Sequence, residues 1–83
     1  MIYLNTYQKV YNKCEDILDI LGVATSHEVL RFLLINHTVG SMNITPQGIT
    51  YYFKQQGYQS RKYYQTKPQI FFSKHYSGVL LHD

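Results

Sequence analysis

Gln47, Thr50, Tyr51 and Lys54 are spaced three and four residues apart, so on a helix they share one face. Each can make polar contacts and none is acidic. A Gln amide offers an adenine edge its matching donor and acceptor. A Thr hydroxyl can donate, accept, or leave its methyl group against a thymine methyl. A Lys ammonium can neutralise a phosphate. A helix face that is merely solvated usually carries Glu and Lys pairs that support the helix, and this one has no acid. Downstream, Arg61, Lys62, Lys67 and Lys74 add further cations, and no acid occurs between Asn43 and Leu81. Nothing in that stretch repels a polyanion.

Catalytic chemistry finds less support. The adjacent Tyr51 and Tyr52 resemble the nucleophilic tyrosines of rolling-circle nucleases, but that family also needs a His-x-His metal pair. His27, His37, His75 and His82 stand too far apart in sequence to supply one locally. There is no Gly-rich phosphate loop. The single cysteine, Cys14, excludes an intramolecular disulfide and a multi-Cys zinc site. Set among apolar helix positions, it is expected to be an inert, half-buried thiol. Glu15, Asp16, Asp19 and Glu28 fall on or near the first two helical segments, where they are read as supporting helix dipoles and solubility. The chain is therefore expected to be non-enzymatic and to hold neither cofactor nor metal.

Length and composition set the frame for these residues. Eighty-three residues make one domain, 1–83, with a thin core. With 45% hydrophobic and 16% charged residues, the chain lacks the signature of disorder. Nine Tyr and four Phe supply bulk in place of Trp, and a Tyr ring can pack while its hydroxyl stays wet. The net charge of +3 is unevenly placed. Lys9, Lys13 and Arg31 are slightly outnumbered by the four acids of the first half. Lys54, Arg61, Lys62, Lys67 and Lys74 face Asp83 alone in the second. Such asymmetry suits a chain whose second half meets a polyanion. No apolar run approaches a membrane span and no signal peptide is evident, so a soluble, cytoplasmic protein is expected.

Three helices and a hairpin must position these side chains. Residues 6–22 read as a first helix with Val10, Cys14, Ile17, Leu18 and Leu21 on one stripe and Gly22 as its stop. Ile2-Tyr3-Leu4 before it reads as a short extended arm or a frayed start. Thr25-Ser26-His27-Glu28 is a capping box that opens a second helix, running to Asn36 or His37. Val29, Leu30, Phe32, Leu33, Leu34 and Ile35 make this helix apolar nearly all round, so it is expected to be the most buried element. Met42-Asn43-Ile44 reads as a brief strand. Thr45 caps a third helix with Pro46 at its first position, and Gly57 ends it. Ile49, Tyr52, Phe53 and Gln56 are expected to face the other helices. Tyr58 to Tyr64 and Gln69 to Tyr76 then read as a hairpin around a turn at Gln65-Thr66-Lys67-Pro68. Imperfect alternation in its second strand leaves the buried face open, and Val79-Leu80-Leu81 is expected to return to the core.

Helix, helix, short strand, helix, hairpin is an order similar to that of the winged helix-turn-helix family, and the likeness covers nearly the whole chain. Its motif here is Thr45-Pro46, Ile49, Tyr52-Phe53-Lys54 and Gly57-Tyr58. In that family a capped third helix ends in Gly plus an aromatic and feeds a basic hairpin. The resemblance implies an α+β winged helix-turn-helix fold: three helices, a short strand and a C-terminal β-hairpin wing. It further implies that Gln47, Thr50, Tyr51 and Lys54 enter the DNA major groove. Arg61, Lys62 and Lys67, with Lys74 less favourably placed, would contact the backbone. More narrowly, Gly57-Tyr58 through Tyr76-Ser77-Gly78-Val79-Leu80 resembles the winged-helix domain that closes poxvirus-type and phage-type primase–helicases. No helicase or primase part is present here, so only DNA engagement carries over.

The expected function is thus double-stranded DNA binding by a transcriptional regulator of a virus, plasmid or other mobile element. An alternative is the origin-binding domain of a replication protein. Another is a protein-interaction module using Tyr58, Tyr63, Tyr64 and Tyr76, at least half of which are expected to pack against the third helix. A homodimer is expected if the target site is two-fold, joined through helix one or the Ile2-Tyr3-Leu4 arm.

Overall fold

A computed structural model describes residues 2–62 and 64–76. They form a small α+β fold of three helices, a short antiparallel sheet and a separate pair of parallel strands. Val79-Leu80-Leu81 and most of the Tyr76 to Leu80 motif lie outside the described residues.

The chain opens with β1 (Ile2–Tyr3), and the arm is indeed extended. Leu4, buried behind it, donates its N–H to Thr38 O at 2.7 Å. Thr6 then caps α1 (Tyr7–Leu21) by accepting from Lys9 N–H. Val10, Cys14, Ile17 and Leu18 form its buried stripe, while Leu21 stays 38% exposed. Gly22 closes α1 with its N–H on Leu18 O.

The next three residues form β2 (Val23–Thr25), a strand with no local signal. The strand expected at Met42 to Ile44 does not form. A strand exists only where another completes its hydrogen bonds. Val23, Ala24 and Thr25 find theirs on Phe72, Phe71 and Ile70. In the 42–44 segment, the Met42 N–H closes a turn onto Val39 O, and the Asn43 N–H donates to the Tyr7 hydroxyl.

α2 (Ser26–Asn36) starts with the expected capping box: Thr25 Oγ1 accepts from Glu28 N–H, and Glu28 Oε1 accepts from Thr25 N–H. It is not the most buried element, and only three of its eleven residues are buried. Val29 and Leu33 are fully buried, but Leu34 is 49% and Ile35 65% exposed. Only one stripe of α2 meets α1 and α3, and two packed neighbours cannot cover a helix that is apolar all round. α2 ends into β3 (His37–Thr38), which pairs in parallel with β1.

α3 (Pro46–Gln55) has Thr45 as its cap and Pro46 in the first turn. Ile49 and Phe53 are its buried residues, and Gln56 turns out exposed. It stops at Gly57 (φ 81), whose N–H reaches Lys54 O while Tyr58 N–H reaches Phe53 O. This bond pair closes a helix through a left-handed residue and suits Gly. Gly48 permits a close crossing with α1: a Cβ there would stand 3.0 Å from the Tyr11 hydroxyl.

The hairpin follows as β4 (Ser60–Arg61) and β5 (Ile70–Phe72), giving the sheet order β2-β5-β4. Ser60 pairs with Phe71 and Arg61 with Ile70. Both Phe71 and Phe72 are buried, which explains the missing alternation. Phe71 meets Phe53 edge-on at 5.2 Å, whereas Phe72 packs beside Tyr76 at 5.5 Å. The core thus gathers Val10, Cys14, Ile17, Leu18, Val29, Leu33, Ile49, Phe53 and Phe71 between the helices and one sheet face.

Candidate nucleic-acid interface

What orients α3 is a carboxylate on α1. Glu15 accepts from the Tyr52 hydroxyl at 2.6 Å through Oε2 and from the Tyr58 hydroxyl at 2.8 Å through Oε1. Tyr11 stacks on Tyr52 at 4.9 Å, and Tyr58 packs on Phe53 at 5.1 Å. Asp19 likewise accepts from Ser73 Oγ at 2.9 Å, tying the end of β5 to α1. Glu15 and Asp19 are therefore anchors for α3 and the hairpin, beyond the supporting role expected of them. Burial raises the Tyr58 phenol, with the Glu15 hydrogen bond and charge adding to it. The same causes push Tyr52 up to about 12.

With Ile49, Tyr52 and Phe53 turned inward, the opposite side of α3 must face outward. There Gln47, Thr50, Tyr51 and Lys54 line an open groove of about 520 Å³. The hairpin lines it as well, through Lys62, Pro68 and Gln69, and so do Ser26 and His27 of α2. Among the described residues, no Asp or Glu lines it. Tyr51 is 65% exposed, and its hydroxyl accepts from Gln55 Nε2 at 3.0 Å. Thr50 is half-buried, and its hydroxyl shares a 2.5 Å hydrogen bond with Ser26 Oγ. That bond pins α3 to the start of α2 and engages the Thr50 hydroxyl.

Five of the eight candidate residues thus converge: Gln47, Thr50, Tyr51, Lys54 and Lys62. Lys67 stands at the hairpin tip beside an adjoining cavity. Arg61 is half-buried on β4 and does not line the groove. Lys74 belongs elsewhere: its Nζ sits 4.7 Å over the Tyr58 ring, beside a separate cavity lined by Gly57, Gln59 and Phe72. The short path from β5 into the turn at Lys74-His75 carries it there, so it is not a member of this face. Ser26, His27, Pro68 and Gln69 were missed, because the crossing of α2 with α3 and the pairing of the hairpin are what bring them in. Of the hairpin tyrosines, Tyr58 is buried, Tyr64 is 68% and Tyr76 37% exposed, and Tyr63 lies outside the described residues.

No protein-family model matches this chain. No curated protein and no solved structure matches it either. Among the described residues, no three His, Cys, Asp or Glu gather as a metal-ion cage, and no helix is long and apolar enough to cross a membrane.

Proposed function

We propose that this chain is a winged-helix domain that binds double-stranded DNA without catalysis, acting in transcriptional regulation. α3 would enter the major groove and the hairpin would follow the backbone. The observation that carries this reading is the groove, with no acid among the described residues that line it, on which Gln47, Tyr51 and Lys54 of α3 meet Lys62 of the hairpin. Hydrogen-bonding side chains stand on a capped helix anchored from behind by Glu15, and cations flank them. Fixed polar groups can read base edges, and flanking cations hold phosphates in register. Gln47 and Tyr51 would make the base contacts. Thr50 would offer its methyl group, its hydroxyl being engaged by Ser26. Lys54, Lys62 and Lys67 would take phosphates.

The test is fluorescence anisotropy with a labelled duplex titrated at several salt concentrations. Neutralising about three phosphates predicts a slope of log affinity against log salt near −2.7. Lys54→Ala/Lys62→Ala/Lys67→Ala, checked for native circular dichroism, should nearly abolish that slope. No binding at low salt, or binding indifferent to salt, would reject the proposal. The first outcome would direct the search to a protein partner.

A further inference from the structure

Beside the groove lies a second cavity of about 330 Å³, lined by Thr25, Tyr64, Lys67, Pro68 and Ile70. Its walls are an aromatic ring, a proline ring and an aliphatic side chain, with one cation among them. The Thr25 hydroxyl is committed as the α2 cap, and the Glu28 carboxylate near it is tied to the Thr25 N–H. The cavity therefore offers surface to stack on and little to read with. Its position is set by a turn: Lys67 N–H donates to Tyr64 O at 3.1 Å, holding these two residues together. Pro68 lines both cavities, and Thr25 adjoins Ser26 of the groove, so the two spaces are neighbours.

We propose that this cavity takes an unpaired nucleobase, stacked on Tyr64 and Pro68, with the adjoining phosphates on Lys67 and then Lys62. The inference rests on the DNA-binding reading above and extends it to the form of DNA preferred. A base within a duplex is covered by its neighbours, so only one at an end, a bulge or a single-strand junction can enter. Every base has a π-face, so the contact is indifferent to base identity. A peptide rich in proline would suit the rings, but it would make no use of Lys67 or of the neighbouring cationic groove.

The experiment compares a blunt duplex with the same duplex carrying a short single-stranded overhang, whose first nucleotide is 2-aminopurine. Wild type, Tyr64→Ala and Tyr64→Phe are each titrated. Stacking of one base should favour the overhang by about 5- to 150-fold and quench the 2-aminopurine. Tyr64→Ala should lose that preference and the quenching while binding the blunt duplex as before, and Tyr64→Phe should keep both. Equal affinity of wild type for the two duplexes would overturn the inference and leave double-strand binding standing, as would a preference that survives Tyr64→Ala. Failure of both duplexes to bind would overturn both readings. Binding of the overhang alone, lost in Tyr64→Ala, would support the stacking site and reject the major-groove reading.

Discussion

Replacing Glu15 by Ala leaves the hydroxyls of Tyr52 and Tyr58 without their carboxylate acceptor. A hydrogen bond to a charged group contributes about 1.5–3 kcal/mol, and partial solvent access moves this pair toward the low end, about 2–4 kcal/mol together. In a domain of this size each kcal/mol shifts Tm by about 4–8 °C, so Glu15→Ala should lower Tm by roughly 8–30 °C. Thermal unfolding followed by circular dichroism measures this directly. In a Tyr52→Phe/Tyr58→Phe background, the same substitution should cost under about 1 kcal/mol, because the interaction it removes is already gone. A Tm within about 2 °C of wild type would refute the clamp. So would an equal loss in the Phe background. Alkaline titration provides a second readout. Both phenols are raised above the ordinary value of 10.0 in the folded state, so the unfolded chain gives up its protons first. Their contribution is complete below about pH 10 and is lost as pH climbs toward 12 and beyond. Glu15→Ala should weaken that alkaline loss.

Two further outcomes follow from single positions. Gly57→Ala places a Cβ on a residue with φ 81 and no atom within 4 Å. The cost is therefore backbone strain alone, about 1–2 kcal/mol, measurable as a lower urea midpoint with an unchanged m-value. Cys14 is fully buried, and its thiol is pushed up to about 12 by burial first and the Glu15 charge second. In the native protein it should react with a thiol reagent only as fast as the core opens, and at the full free-thiol rate in denaturant. Rapid reaction under native conditions would contradict its burial.

The helices were legible because their signals act over three or four residues. Thr25 and Glu28 satisfy each other's N–H groups, and Thr45-Pro46 with Gly57 marks both ends of α3. Those contacts form within a turn of chain, whatever the rest of the molecule does. From the stripe of Ile49 and Phe53, the outward face of Gln47, Tyr51 and Lys54 followed as well. The sheet was not legible in this way. Val23 to Thr25 becomes a strand only because residues nearly fifty positions later lie alongside it, whereas Met42 to Ile44 has no such partner among the described residues. Nor did residue type reveal that Glu15 would hold two tyrosines, that Ser26 would engage Thr50, or that Lys74 would fold back over Tyr58. Hydrogen bonds and ring contacts between distant residues depend on how elements cross, and crossing is settled by packing the whole core at once. Where helices begin and end, and which face of α3 is polar, follows from residues that are neighbours in the chain. Which cations share that face is settled by the docking of the elements, because side chains far apart in the chain meet only after their scaffolds have come together.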